Sequence, residues 1–596
     1  MDKYFNLEYR GEGNCAMVFA DPQTRQVYRL VKSNATRKVK KLLRASVTNH
    51  DEELSHKINM FVRKELEKVI SYMNNIMKPL LSSRYVVTPN LKILHKKFGE
   101  QAVLLAGEAR PAHRKNSPAD NVDPDVQCAL VLPDCCFVCN SDLNESSAVS
   151  SFGNSMHLNS PICQEDLRRS NSCCSADSQE SSPIAEHLDD SLDANSSAGD
   201  EVDEVDSYSF SSAFYLGNER MEDSSLHICE LRDIRDVQDV SEVRSCLDTT
   251  NSMAGSVKSD GEPVFTLSIE IKPKKSFMTK SSSDDFNQVC RFCMHQHLKT
   301  KSGQWPQTSS YCPLDLFSGN KHRMKHALWS LIKTPQNNLK ICKNGKEVYG
   351  SEIRQNLSAI LSTWFPSNPN RTKKLISVFL DLVIEVLLTR PSTDQNSDPC
   401  PAKPGTPVRS FCSQKCDSSS FVYCEDEKSE ELPQGCVLEK IYSLQSLDDL
   451  DIEGVYPLYK QLKTRMEKEP WLINHWCLNG PYDDVSWLLG RDGEHLSDLD
   501  PDSLDYAVLK VKRFLVSKTL QDCSIIAAIQ PVTKSSIQHK QDFLRFDGDL
   551  YNFSVKVIDL DPKPFEKVET YYRQASDIAK TFAETSSAFT KDCDSF

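Results

Sequence analysis

The sequence predicts a two-lobed α+β fold on three observations. Strand-like alternation opens the chain in "YRGEGNCAMVFADPQTRQVYRLVK", helical periodicity fills its middle, and two strand-like runs, "DCSIIAAIQ" and "FSVKVIDLD", return late. Strands and helices grouped in this way, rather than alternating as βαβ units, point to α+β.

Residues 1–139 form the first folded piece. It holds two strand-like runs joined by a turn at Asp21-Pro22, a Lys-rich helical stretch at about 55–80 and the strand "CALVLPD". Residues 263–390 open with the strand "VFTLSIEIKPK" and continue into helices at about 285–300, 320–334 and 371–389. Residues 434–575 hold helices near 455–467 and 503–518 before the two late strands, and 576–596 are a tail. In the last strand Phe553, Val555 and Val557 point one way and Ser554 and Lys556 the other, the period of a half-buried strand.

Two segments separate these pieces. Residues 140–262 carry 26 acidic against 7 basic residues with no sustained period, so they cannot bury enough apolar surface to offset chain entropy and are expected to be disordered. A second low-complexity linker covers 391–433. The chain of 596 residues has a net charge of -13, but outside the acidic segment 64 basic residues face 58 acidic ones. The part expected to fold is mildly basic and suits anionic partners.

The longest apolar run, "LISVFLDLVIEVLL", is interrupted by Asp381 and Glu385 and reads as a buried helix, not a membrane span. The opening "MDKYFNLEYR" has no apolar leader core, and 22 scattered cysteines in so large a chain suggest reduced thiols. A cytoplasmic and nuclear location is expected.

Several stretches carry chemistry. "GEGN" lies between strand-like runs, where backbone amides of Gly11, Gly13 and Asn14 could cover phosphates, and Arg29 follows where a phosphate-pairing cation would sit. In "EIKPK" the residues Glu270, Lys272 and Lys274 share one face, an arrangement a core strand without partners would not tolerate. "VCRFCMHQHLK" resembles a metal site at first, but Cys290, Cys293, His295 and His297 fall within eight residues, too few to wrap an ion tetrahedrally. As a helix the stretch sets His295 and Lys299 on one face. Asp522 precedes one late strand and Asp559 ends the other, so two carboxylates at the ends of paired strands could supply a base and a metal ligand. The plainer reading is a turn aspartate and an ion pair.

Taken in order, "GEGN", "EIKPK", "CRFCMHQHLK", "YCPLDLFSGN", "QNNLKICKNG", "DIEGVYPLY", "DCSII" and "DLDPKP" resemble the inositol-pentakisphosphate 2-kinase family over residues 10–572, apart from the two low-complexity segments. The resemblance implies a distantly protein-kinase-like fold whose C-lobe carries an inositol-phosphate-binding extension. It implies transfer of the ATP γ-phosphate, with Mg2+, to the 2-hydroxyl of inositol 1,3,4,5,6-pentakisphosphate, giving the hexakisphosphate. It puts Gly11, Gly13 and Asn14 over the ATP phosphates with Arg29 beside them, Leu132 and Asp134 at the adenine hinge, and Glu270 in the nucleotide site. Asp522 falls on the base, Lys272 on charge stabilisation and Asp559 on the metal ligand. Lys274, His295, Lys299, Asn338, Lys563, Lys567 and Tyr571 fall on substrate contacts, with Arg110 or Arg114 reaching over from the N-lobe.

Pro562 stands where related sequences usually have Leu or Met, and the acidic insert is unusually long. The expected partner is the inositol phosphate, to a monomer that needs neither membrane nor nucleic acid; protein partners of the insert are not identified. The rival readings are an inactive scaffold binding inositol phosphates or RNA, and a kinase of different positional specificity.

Overall fold

The opening alternating stretch folds as three strands rather than two, because its glycines break it. Strands β1 (Glu8–Glu12), β2 (Ala16–Asp21) and β3 (Gln26–Val31) pair antiparallel in sequence, with a register shift in β1 between Tyr9 and Gly11. Gly11 has a φ of 154°, which a side chain would resist. Strands β4 (Asn90–Ile93) and β5 (Cys128–Pro133) complete a five-stranded sheet in the order β1-β2-β3-β5-β4.

Side-chain alternation splits this sheet between two cores. Tyr28, Leu30, Ala129 and Val131 meet Phe98, Ala102 and Ala106 on one face. Val31, Cys128 and Leu130 meet Ile58, Val62 and Leu66 on the other. Each helical partner repeats every four residues, a single stripe on its helix, and both helices bury that stripe. The second of them, the Lys-rich stretch, is helix α2 (Asp51–Tyr72), which follows helix α1 (Ser33–Ser46).

A second, six-stranded sheet is built from β6 (Leu267–Ile271), β7 (Leu339–Lys343), β8 (Lys346–Tyr349), β9 (Ser524–Pro531), β10 (Asp542–Phe546) and β11 (Asp549–Ile558), in the order β10-β11-β9-β6-β7-β8. Its largest core packs Ile269, Ile271, Ile525, Ala527, Phe553 and Val555 with helix α4 (Lys321–Lys333) and helix α5 (Leu375–Leu388). The apolar run read as a buried helix is α5, with Asp381 paired to Lys325 and Glu385 to Lys321. β11 departs from the half-buried expectation. Ser554 is buried as well, and the segment around Tyr85 and Val86 lies against the end of that strand, where Lys556 donates to the Arg84 carbonyl.

Helix α3 (Arg291–Lys301) flanks the sheet, and three longer helices form a separate cluster: α6 (Asp451–Lys468), α7 (Leu504–Asp522) and α8 (Lys567–Cys593). Val455, Tyr459, Leu462, Val511, Phe514, Phe565 and Val568 fill the space between them. Burying each such side chain contributes about 1.5–3 kcal/mol. α7 outruns its predicted end and carries Asp522 in its last turn; Ser503 caps its start by accepting from the Tyr506 amide.

This computed structural model describes residues 7–13, 15–46, 51–95, 98–110, 112–115, 118–138, 264–279, 289–365, 374–390, 431–488, 499–532 and 542–593, all within one compact unit. Asn14, the 140–262 insert and nearly all of the 391–433 linker lie outside the described residues.

Candidate active site

Strand pairing gathers the charged residues at one edge of the six-stranded sheet. β9 and β11 run antiparallel with Ser524 opposite Ile558, so Asp522, just before β9, and Asp559, just after β11, leave the same end. β6 pairs with β9 through Ile271 and Ile525, which sends Lys272 and Lys274 off that end too. Lys274 and Asp559 have φ values of 63° and 61°, left-handed conformations that non-glycine residues adopt at a cost of order 1–3 kcal/mol.

Two carboxylate–ammonium pairs organise the cleft. Lys563 Nζ lies 3.0 Å from Asp522 Oδ2, and Lys272 Nζ lies 3.3 Å from Asp559 Oδ2. Ser524 Oγ donates to the same Asp559 oxygen at 3.2 Å. Both aspartate side chains remain about half exposed, at 49% and 46%. Desolvation opposes ionisation of Asp522, but Lys563 and Lys274 overcome it and hold the carboxyl well below its usual range. Asp559 is likewise lowered against desolvation, by Lys272 and Arg29. Lys272 loses some proton affinity to desolvation, yet Asp559 and Glu270 push it up to about 12.

Two further cations of the cleft have no such partner among the described residues. Lys274 and Lys299 have no carboxylate within ion-pairing distance among the described residues, although Asp522 acts on both. Desolvation, with Lys272 and Lys299 nearby, brings Lys274 down to about 8; desolvation lowers Lys299 also. His295, one turn before Lys299 on α3, is driven to about 3 by desolvation and by Lys299, Lys274 and Lys518. Tyr571, on α8, shares its surroundings with Lys563 and Asp522. Lys567, the first residue of α8, is buried and lies nearer the glycine loop, acting with Arg29 on the Cys15 thiol.

The N-terminal sheet meets this edge through Arg29, whose guanidinium pairs both oxygens of Asp561. In the glycine loop, the Gly13 carbonyl accepts from Lys32 and from Arg114, each at 2.9 Å. Gly11 lies against the six-stranded sheet, where an added Cβ would stand 3.6 Å from Lys340 Nζ. Lys340 is the cross-strand neighbour of Glu270. β4 covers β5 only as far as Val131, so Leu132 continues past the end of its neighbour.

Three residues expected to contact ligands are engaged within the chain. Arg110 is buried, and its guanidinium donates to both Glu12 oxygens, to Asn121 Oδ1 and to the carbonyls of Arg114 and Asp120, so it braces the glycine loop. Asp134 is buried too. Its amide donates to the Arg25 carbonyl, its carbonyl accepts from Phe137, and its carboxylate holds Arg10 and the Cys136 amide, so it ties the end of β5 to the chain around it. Asn338 is 1% exposed: its carbonyl accepts from the Lys272 amide at 2.9 Å and its side-chain nitrogen donates to Gln336 Oε1 at 3.3 Å, while its Oδ1 has no hydrogen-bond partner among the described residues.

Sequence reasoning passed over Ser524, Lys518 and the pairing role of Asp561. The spacing of Lys518 four residues before Asp522 was visible, but only the long reach of α7 gives it meaning. Cys312 was also passed over. His295 faces the cleft and His297 packs on Phe582, so the four-residue cluster does not assemble; instead the sulfurs of Cys290, Cys293 and Cys312 lie within 4.8 Å of one another. Three thiols are ligands for a soft metal ion. For a hard cation, Asp559 is suited: both its hydrogen bonds go to Oδ2, leaving Oδ1 available on a half-exposed side chain.

Comparison with known proteins agrees with this chemistry. A family profile described as inositol-pentakisphosphate 2-kinase matches residues 9–577. The inositol-pentakisphosphate 2-kinase of Danio rerio is 33% identical over 342 residues, covering 54% of this chain and 68% of that protein. The rice (Oryza sativa subsp. indica) protein named inositol-pentakisphosphate 2-kinase IPK1 is 30% identical over 314 residues, covering 52% and 58%. The Arabidopsis thaliana inositol-pentakisphosphate 2-kinase is 27% identical over 317 residues, covering 52% and 57%. The matched stretch therefore spans a little over half the length of the plant relatives. A profile match over residues 9–577, with the cleft just described inside it, places the chain in the inositol-pentakisphosphate 2-kinase family.

Proposed function

We propose that the chain is an ATP-dependent kinase that phosphorylates the 2-hydroxyl of inositol 1,3,4,5,6-pentakisphosphate. The observation that carries this reading is the pair of uncompensated cations, Lys274 and Lys299, converging on an ionised, half-exposed Asp522. A ligand with five phosphates brings roughly -7.5 to -10 charges. Each cation–phosphate contact near 4 Å is worth about 4 kcal/mol before desolvation at an effective dielectric near 20. Such a ligand offsets the cost of holding these ammonium groups in the cleft.

In this reading the five-stranded sheet serves as the N-lobe and the six-stranded sheet with its helices as the C-lobe of a kinase-like fold. The loop at Gly11 and Gly13 faces the nucleotide, with Arg29 and Lys272 on its phosphates and Leu132 beside the base. Lys274, Lys299, Lys563 and Tyr571 hold the inositol phosphates, with neutral His295 as a hydrogen-bonding neighbour. Asp522 orients the attacking hydroxyl and accepts its proton. In the empty cleft its proton affinity is low, since Lys563 and Lys274 favour the anion. Phosphates that engage those lysines weaken that effect and raise Asp522 toward a value useful to a base. Asp559, with Oδ1 available, would hold Mg2+, which when bound with ATP supplies charge neutralisation at the transferred phosphoryl group. Lys272 keeps Asp559 ionised until then.

The experiment is incubation of the full chain with ATP and purified pentakisphosphate isomers, mapping the new phosphate by NMR. ADP formation that depends on the 1,3,4,5,6 isomer, with phosphate added at position 2, is expected. Binding of that isomer with no ADP formed would leave only a scaffold.

A further inference from the structure

Lys518 lies one helical turn before Asp522 on α7, so both project from the same face. Its ammonium sits 5.2 Å from the ring centroid of Phe514 and 5.2 Å from that of Tyr571, which places it between α7 and α8. It is partly exposed, and its one hydrogen bond goes to the Gln521 side-chain oxygen at 3.1 Å. Among the described residues no carboxylate stands within ion-pairing distance of it.

A plainer role would be to neutralise the acidic cluster behind it, and the structure argues against that. Asp451 already pairs Lys275 at 2.5 Å and Arg291 at 3.5 Å. Asp448 is buried, its Oδ2 has no hydrogen-bond partner, and desolvation raises it to about 6 although Lys275 and Lys518 oppose the rise. A counter-ion for Asp448 would have reached that oxygen. The Lys518 ammonium is held over the Tyr571 ring, where its charge acts on His295 and Asp522 as well as on Asp451 and Asp448, and it pairs with none of these carboxylates.

We infer that Lys518 is a further substrate-binding residue, taking one phosphate of the inositol ligand at the floor of the cleft beside Tyr571 and His295. The inference rests on the proposed function and adds a cation to the clamp of Lys274, Lys299 and Lys563. Its positive charge costs the empty protein desolvation, which a phosphate oxygen at hydrogen-bonding distance relieves.

The test uses the full chain and measures calorimetric binding of inositol 1,3,4,5,6-pentakisphosphate and, separately, of a non-hydrolysable ATP analogue. Lys518→Met is expected to weaken pentakisphosphate binding about 10–100-fold, in line with the loss of a charged hydrogen bond, and to leave nucleotide binding within twofold. Lys518→Arg is expected to recover most of the loss. Unchanged pentakisphosphate affinity in Lys518→Met would overturn the inference, as would an equal loss for both ligands. Should that variant not fold, acetylation footprinting of the wild-type chain decides the matter. Protection of Lys518 by pentakisphosphate supports the contact, and equal labelling with and without ligand overturns it. A wild-type chain that does not bind pentakisphosphate would refute the parent function, whereas wild-type binding unaffected at Lys518 refutes this inference alone.

Discussion

Lys563 and Asp522 form an ion pair at 3.0 Å that joins the segment before α8 to the last turn of α7. The pair keeps the carboxyl of Asp522, the proposed base, ionised. Under the proposed function the two residues are separable by mutation, because the carboxylate would act on the hydroxyl and the ammonium on the phosphates.

Asp522→Asn keeps the side-chain size but removes the proton acceptor. Turnover should fall by about 10²–10⁴-fold, the usual range for general acid–base catalysis. Pentakisphosphate binding should hold or tighten, because Lys563 and Lys274 lose their competing carboxylate. Steady-state kinetics beside calorimetry checks both halves, and a variant with near wild-type turnover removes Asp522 from the mechanism.

Removing a cation should do the opposite. Lys274→Ala or Lys563→Ala should weaken pentakisphosphate binding by about 1–3 kcal/mol, as expected for the loss of a hydrogen bond to a charged group. The deficit should shrink as salt is added, since screening weakens the wild-type contact. Titration at two ionic strengths is the measurement; affinity unchanged in both variants would put the pocket elsewhere.

Lys274 also sets a pH dependence. Its value near 8 lies below the ordinary 10.5, so it is charged at neutral pH and loses its proton as pH rises through about 8. Pentakisphosphate affinity should therefore decline above that pH, and Lys274→Arg, which stays charged, should carry the affinity to higher pH. For stability the sign is reversed. The lowered value means that the folded state bears a penalty at and below pH 8, relieved as pH climbs from 8 toward 10.5. A wild-type affinity that is flat across this range would contradict the assignment.

Asp559→Asn should impair Mg2+-dependent nucleotide binding as well as turnover, while pentakisphosphate binding without nucleotide changes little. Fluorescent nucleotide titration with and without Mg2+ separates these effects. Equal nucleotide affinity in wild type and variant at saturating Mg2+ would remove the metal role.

The sequence made the elements and the core of the site legible because both obey short-range rules. The 3.6-residue period of α2 and α5 and the apolar runs of β9 and β11 mark their own positions. The i, i+4 spacing of His295 and Lys299 survives in α3 as written. Pairing between distant strands was less legible, though the prediction that Asp522 and Asp559 leave adjacent strand ends was met by the Ser524–Ile558 register. What stayed hidden depended on burial. Arg110, Asp134 and Asn338 have side chains suited to ligands, but nothing in one dimension shows that Glu12 and Arg10 already engage the first two, or that the third is buried with its amide nitrogen on Gln336. Lys556 misled for the same reason, since its hydrogen-bond partner, the Arg84 carbonyl, lies 472 residues earlier.

The most direct test of the central claim is single-turnover chemistry with labelled ATP and inositol 1,3,4,5,6-pentakisphosphate, comparing the wild-type chain with Asp522→Asn at saturating concentrations of both. The account predicts that labelled hexakisphosphate, with phosphate on the axial 2-position, forms in the wild type and is reduced at least 100-fold in the variant, the lower bound for a lost general base, while both bind pentakisphosphate. A wild-type chain that binds both ligands yet forms no hexakisphosphate would contradict it.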